Sequence, residues 1–254
     1  MEHILLFFVA VVANLFSALA GGGAGLLQFP VLIFLGLPFG TALATHKVAS
    51  VALGVGATTR HWREGRFELG FSAFILLCGV PGVLLGANVI LQFPERWAEL
   101  CLGLLTASLG LYSAFKRDLG QSALPKRRNT LGYAWGGLGI FAIGFLNGSL
   151  TSGTGLFLTL WLILWFGFDY QRAVAYTLVL VGLVWNGSGA IALGVQGTIE
   201  WSWLPALIAG SLIGGYAGAH LSIAKGNPLI KRCFEVITLL VGLSLIVRGS
   251  LGLS

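Results

Sequence analysis

The sequence predicts an all-α polytopic membrane protein made of two inverted repeats. Each repeat is a glycine-broken segment, re-entrant or hairpin, followed by three spans. Three observations carry this prediction. First, 56% of the 254 residues are hydrophobic and only 9% are charged, against about 25% charged in a soluble domain, so the chain cannot clothe a soluble surface. Second, several uncharged stretches reach or approach the roughly 20 residues that cross a bilayer as a helix. Third, the second half of the chain restates the first.

The apolar segments are 4–36, 39–59, 69–93 and 97–115, then 131–166, 173–193, 201–223 and 229–247. Between the two sets lies KRDLGQSALPKRRNT, 116–130. Its charge, Pro and Ser mark a cytoplasmic linker between a first membrane repeat, 1–115, and a second, 131–254. The stretch 4–20 has no basic leading segment and no small-residue cleavage site before a polar start, so it reads as a span and not a removable signal. Cys78, Cys101 and Cys233 are odd in number and lack CxxC spacing. They read as packing residues, and no metal or other cofactor is expected. The net charge of +6 gathers in short loops, which points to membrane orientation and not to nucleic acid.

Four anchors align the halves in order. GAGLL at 23–27 matches GTGLF at 153–157, an offset of 130. Gly36, Leu37 and Pro38 with Ala42 and Ala44 match Gly167, Phe168 and Asp169 with Ala173 and Ala175, at 131. Gly65, Arg66, Phe67 and Glu68 match Gly197, Thr198, Ile199 and Glu200 at 132, as Gly82, Gly86 and Ala87 match Gly214, Gly218 and Ala219. An internal repeat of this kind is the signature of many transporter folds.

Charge sets the orientation. If each broken segment enters and leaves on one face, each half crosses an odd number of times and the halves are inverted. The inner loops then hold Arg60, Arg63, Arg66, Lys116, Arg117, Lys126, Arg127, Arg128, Arg172, Lys225, Lys231 and Arg232, twelve of the fifteen Lys and Arg. Treating each broken segment as a single span places only nine inside and strands the 225–232 cluster outside. The positive-inside rule favours inversion.

The 4–36 run has 33 residues, whereas two full spans need about 40. It is read as two short legs meeting within the membrane. Helix ends expose unpaired N–H and C=O groups, tolerable only in a protein-walled cavity or on a ligand. Gly21, Gly22, Gly23 and Gly25 permit the turn, Gln28 follows on the same leg, and the helix restart near Gly25 offers N–H groups and a positive dipole end to an anion. The second half repeats the device in NGSLTSGTG, with Asn147, Ser149, Thr151, Ser152, Gly153, Thr154 and Gly155. The competing reading of each glycine is close helix packing.

Lys47 is the one charge set well inside a span, about 9 Å along its helix from Thr41. An unpaired lysine at the centre costs about 2.5–3.5 kcal/mol on insertion scales, so it faces a polar interior, carries a function, or snorkels back to the interface. Thr45, His46 and Ser50 share its helix. Glu68 and Glu200 read as boundary markers, Arg96 as an outer-interface residue, His220 as a packing or interfacial histidine, and the Trp201 and Trp203 pair as an interfacial belt.

The run AGGGAGLLQFPVLIFLGLPFGTALATHK resembles the opening signature of the TauE/SafE family of sulfite and organosulfonate exporters. Pro30, Gly36, Pro38, Ala42, Ala44 and Thr45 match that pattern in order. The resemblance extends through the linker and second repeat. It implies a multi-pass protein of the bacterial inner membrane that moves small sulfur-containing anions. Some relatives carry a lysine in the second half too, but here the position matching Lys47 is Leu178, beside Tyr176 and Thr177.

The function expected is secondary transport of a small anion, sulfite or an organosulfonate, by alternating access. In that picture backbone at 21–25 and 151–155 donates to the anion, Lys47 anchors its charge, and Thr45, Ser152, Thr154 and Tyr176 shape the pocket. The family implies export. No Gly-rich run ends in Gly-Lys-Ser/Thr, so no ATP-binding loop is present. The other partner expected is membrane lipid, and a homodimer is compatible with this reading. A passive anion channel is one alternative. An intramembrane serine protease using Ser188 and His220 is another, since a Ser–His pair is the minimum for such chemistry.

Overall fold

The computed structural model describes residues 2–64, 67–89, 95–149, 153–196 and 199–251, and among these all regular structure is helical. The first half comprises α1 (Glu2–Ala20), α2 (Ala24–Phe34), α3 (Phe39–His61), α4 (Leu69–Val89) and α5 (Glu95–Phe115). The second comprises α6 (Thr130–Ser149), α7 (Thr154–Phe166), α8 (Tyr170–Tyr176), α9 (Asn186–Gln196), α10 (Leu204–Lys225) and α11 (Asn227–Leu251). Between α8 and α9 the chain continues as a π-helix, Thr177–Trp185. Four described helices are long and apolar enough to cross a bilayer by length and composition: Glu2–Ala20, Leu69–Val89, Tyr170–Val195 and Leu204–Lys225. This is a polytopic helical membrane protein.

The broken segments divide unevenly, which corrects the expectation of two short legs. In the first, α1 has 19 residues and α2 has 11, about 28 and 16 Å at 1.5 Å per residue. The second follows suit, with 20 residues in α6 and 13 in α7. The glycines sit at the middle of the 4–36 run, and the asymmetry comes from what flanks them: α1 starts at Glu2, before the run, while the turn takes residues 21–23 from the second leg and α2 stops at Phe34. Gly21, Gly22 and Gly23 have φ of 85, 147 and 102°, and Gly153 has 78°, values that side chains resist. The chain therefore breaks there and nowhere earlier.

Packing follows the repeat. Gly214 and Gly218 of α10 lie against the carbonyl oxygens of Val11 and Leu15 of α1, too close for any Cβ. Gly82 and Gly86 of α4 lie in the same way against Phe141 and Phe145 of α6. These are one contact made twice: offsets of 130 and 132 carry each pair onto the other. Small residues let backbones approach this closely in membrane helices. Repeat-equivalent helices also face each other. On α5 and α11, Gly103 meets Gly242 and Ile246 while Gly110 meets Thr238, so the two run antiparallel. Between α3 and the 170–196 helix, Gly54 meets Gly182 and Lys47 meets Gly189, antiparallel again.

The basic loops meet at one end of the bundle. Glu68 pairs with Arg172 and, at 3.3 Å, with Arg128. Asn227 joins Gln171 N–H at 2.8 Å and the Gln121 carbonyl at 2.9 Å, and Arg60 reaches His220 at 3.3 Å. Beneath them Phe71, Phe168 and Tyr176 pack with centroids 5.0–5.6 Å apart. At the other end the chain turns through Glu200 into α10, with Trp201 exposed and Trp203 buried. Cys78 and Cys233 are free, half-buried thiols.

Candidate functional site

The two breaks meet in the middle of the protein. A Cβ built on Gly22 would fall 2.7 Å from the backbone nitrogen of Leu156, and one on Gly155 would fall 2.9 Å from the Gly21 carbonyl oxygen. Thr159 Oγ1 donates to that carbonyl at 3.1 Å and lies 3.0 Å from Thr177 Oγ1. Beside this contact is a cavity of ≈ 40 Å³, room for roughly three waters. The N-termini of α2 and α7 both open on it. Leu26 N–H bonds the Gly23 carbonyl and Leu156 N–H the Gly153 carbonyl, so the N–H groups at 24, 25, 154 and 155 are those their own helices cannot satisfy.

Of the residues expected at a site, the cavity gathers Gly22, Gly23, Gly25, His46, Ser50, Asn147, Thr154 and Gly155. Gly21 and Gly153 form the turns behind it. Thr151 and Ser152 lie outside the described residues. His46 is buried, its Nε2 3.1 Å from Ser50 Oγ and its Nδ1 without a partner. Asn147 Nδ2 donates to Thr154 Oγ1 at 2.9 Å, bridging the second break.

Lys47 is fully buried and does not snorkel. Its ammonium donates to the Asn147 carbonyl oxygen at 2.7 Å and lies 3.2 Å from Asn147 Oδ1. It thus sits behind the cavity wall at the C-terminus of α6, where a positive charge opposes the helix dipole. Gly189 makes room, since a Cβ there would lie 2.9 Å from Lys47 Cδ.

Three expected residues stand elsewhere. Gln28 Oε1 accepts from Asn14 Nδ2 at 3.0 Å, in a separate buried cluster with Ser211. Thr45 Oγ1 accepts from Glu200 N–H at 3.0 Å at one end of the bundle, and Tyr176 OH from Glu68 N–H at 2.6 Å at the other. Both close loops and neither lines the cavity.

Ser17, Thr177, Leu178, Val181 and Asn186 line the cavity and were not anticipated there. The repeat holds the signal for four of them, because Ser17 is the counterpart of Asn147, Thr177 of His46, Leu178 of Lys47 and Val181 of Ser50. The π-helix supplies Thr177, Leu178, Val181 and Gly182 as one wall. Helical stretches of this wider kind often mark functional sites.

Ser188 and His220 do not form a catalytic pair. Next to Ser188, Gly189 contacts Lys47, whereas His220 bonds Arg60, thirteen residues along α3 from Lys47, about 20 Å away. Among the described residues no group of three or more His, Cys, Asp or Glu could hold a metal ion.

Comparison with known proteins points the same way. The chain is 30% identical over 238 residues to a "Probable membrane transporter protein" of Haemophilus influenzae, covering 93% of this chain and 91% of that one. It is 26% identical over 242 residues to the "Probable membrane transporter protein YfcA" of Escherichia coli K12, covering 95% and 88%. It is 22% identical over 275 residues to the "Probable membrane transporter protein YunE" of Bacillus subtilis, covering 98% and 99%. No solved structure matches it. The helical architecture and the bacterial relatives make this a multi-pass transporter of the inner membrane, not an enzyme. The pattern described as "Sulfite exporter TauE/SafE" matches residues 6–245, and the chain belongs to that family.

Proposed function

We propose that the protein exports a small sulfur-containing anion by alternating access, with the anion held between the two helix breaks. The observation that carries this is the meeting of two helix N-termini, those of α2 and α7, at one buried cavity. Unpaired N–H groups and two positive dipole ends there favour an anion. Asn147, Thr154, Ser50 and His46 add polar atoms. Lys47 acts through Asn147, whose amide lies between the ammonium and the cavity. The family's description as a sulfite exporter supports both the substrate class and the direction.

Cavity size orders the candidates. A space of ≈ 40 Å³ suits an ion of a few heavy atoms such as sulfite. A sulfonate with a carbon tail requires the wall to part. Antiparallel packing of repeat-equivalent helices and the gathering of basic loops at one end support opposite insertion of the halves, with 116–130 on the cytoplasmic side.

Proteoliposome flux across sulfite, sulfonates, carboxylates and phosphate tests the reading. Sulfite should be carried in preference to phosphate, with Thr154→Val reducing flux about tenfold. Equal flux for every anion, or unaltered sulfite flux in Thr154→Val, would refute the site.

A further inference from the structure

The two sides of the cavity are chemically unequal. In the second half a cation meets the C-terminus of α6, the Lys47 ammonium on the carbonyl and side chain of Asn147. Exchanging the halves carries Asn147 to Ser17 and Lys47 to Leu178. Ser17 stands near the C-terminus of α1, and both Ser17 and Leu178 line the cavity. The counterpart place therefore exists, but an alkyl side chain stands where the ammonium would be.

Oxygen atoms at that place lack partners. Ser17 is 2% exposed and its Oγ has none; Asn14, one turn earlier on the same face, is 0% exposed and its Oδ1 has none. Asn14 Nδ2 is engaged by the Ala10 carbonyl, Gln28 Oε1 and Ser211 Oγ at 2.7–3.0 Å. The Ala10 carbonyl, which can only accept, fixes the amide with Nδ2 towards the backbone and its oxygen left over. The Ser17 carbonyl takes the N–H groups of Gly21 and Gly22. The carbonyls at 18–20 belong to the last turn, which a helix cannot satisfy by itself.

We propose that a monovalent alkali cation, sodium by size, binds at the C-terminus of α1 on Ser17 Oγ, Asn14 Oδ1 and the terminal carbonyls. There it does for the first half what the Lys47 ammonium does for the second. Every ligand is neutral, which suits a single charge, since divalent ions draw carboxylates. Helix C-termini at midplane breaks are suited to such ions. A cation beside the anion offsets the cost of taking either charge out of water. The inference rests on the proposed anion site for what the cation is coupled to, though not for the cation site itself.

Purified full-length protein in detergent, without sulfite or sulfonate, is titrated with sodium chloride against choline chloride. The expected result is a sodium-dependent rise in Tm, about 3–6 °C at a sodium concentration roughly ten times Kd. Ser17→Ala weakens the sodium Kd about tenfold or more. Leu178→Lys, which brings a tethered ammonium to the same place, abolishes the response; if that variant does not fold, Ser17→Ala decides alone. No sodium-dependent shift in the wild type, or an equal shift in Ser17→Ala, overturns the site. In proteoliposomes, sulfite flux should follow a sodium gradient. Flux that follows a pH gradient and ignores sodium overturns the coupling. Sodium binding without flux of any anion upholds the cation site and sinks the anion reading instead.

Discussion

The hydroxyl of Thr45 accepts a hydrogen bond from the Glu200 N–H at 3.0 Å, at the opposite end of the protein from Tyr176, whose hydroxyl accepts from the Glu68 N–H at 2.6 Å. The repeat carries Thr45 onto Tyr176 and Glu68 onto Glu200. Each half thus closes a loop of the other with a hydroxyl, using different side chains for one purpose. Thr45→Val and Tyr176→Phe each leave a backbone donor unpaired and should each cost about 1 kcal/mol. The double variant should lose the sum within about 0.5 kcal/mol, because the two sites share no partner. Thermal unfolding of the three variants measures this.

Lys47 and Gly189 form a second testable relationship. Lys47→Met removes the cation from the α6 C-terminus and should lower sulfite flux about tenfold or more while leaving the protein folded, since a buried ammonium is itself costly. Gly189→Ala places a methyl 2.9 Å from Lys47 Cδ and displaces the ammonium from Asn147. Its flux should fall too, and the double variant should be no worse than Lys47→Met alone. Additive losses would show that Gly189 acts apart from Lys47.

Gly22 and Gly36 separate two kinds of constraint. Both have positive φ, 147 and 101°. A Cβ on Gly22 strikes the Leu156 backbone at 2.7 Å, whereas one on Gly36 meets nothing within 4 Å. Gly36→Ala should cost about 1–2 kcal/mol of backbone strain and retain transport. Gly22→Ala adds overpacking of about 1–3 kcal/mol to its strain and should abolish transport. Flux normalised to folded protein distinguishes them.

Acid should act through Glu68. The hydrogen bond and charge of Arg172, aided by Arg128, hold its carboxyl below the ordinary value of 4.5. A depressed carboxyl stabilises the folded state above that ordinary value and loses the contribution as pH falls through its folded value. The wild-type Tm should therefore exceed that of Glu68→Gln by a constant margin near neutrality, and the margin should close below pH 4.5. The Glu68 side chain is 47% exposed, so the margin is small and shrinks with added salt.

Much of this was legible in the chain because glycine and charge are legible. The breaks at 21–23 and 153 follow from glycines where only glycine fits, and the basic end follows from where Lys and Arg gather. The cavity wall was less so. Ser17 and Thr177 are ordinary residues on apolar helices, and only the repeat offset singles them out. The π-helix left no mark, since TLVLVGLVW is apolar on every face and carries no period to read. Tyr176 and Thr45 drew notice because they stand beside Lys47 and its counterpart Leu178, whereas a loop's unpaired N–H claims each of them. Lys47 stood out as a buried charge, but its partner is a carbonyl 100 residues away, which no local pattern reveals.

The glycine contacts of α1 with α10 and of α4 with α6 bear on how the molecule can part. Each is a backbone-to-backbone clasp between one half of the sequence and the other. Drawing the halves apart as two rigid bodies would unfasten both clasps at once. A division of the molecule that keeps both clasps fastened must cut across the repeat, leaving α1 with α10 and α4 with α6. Bodies divided in that way are hybrids, each built from both halves.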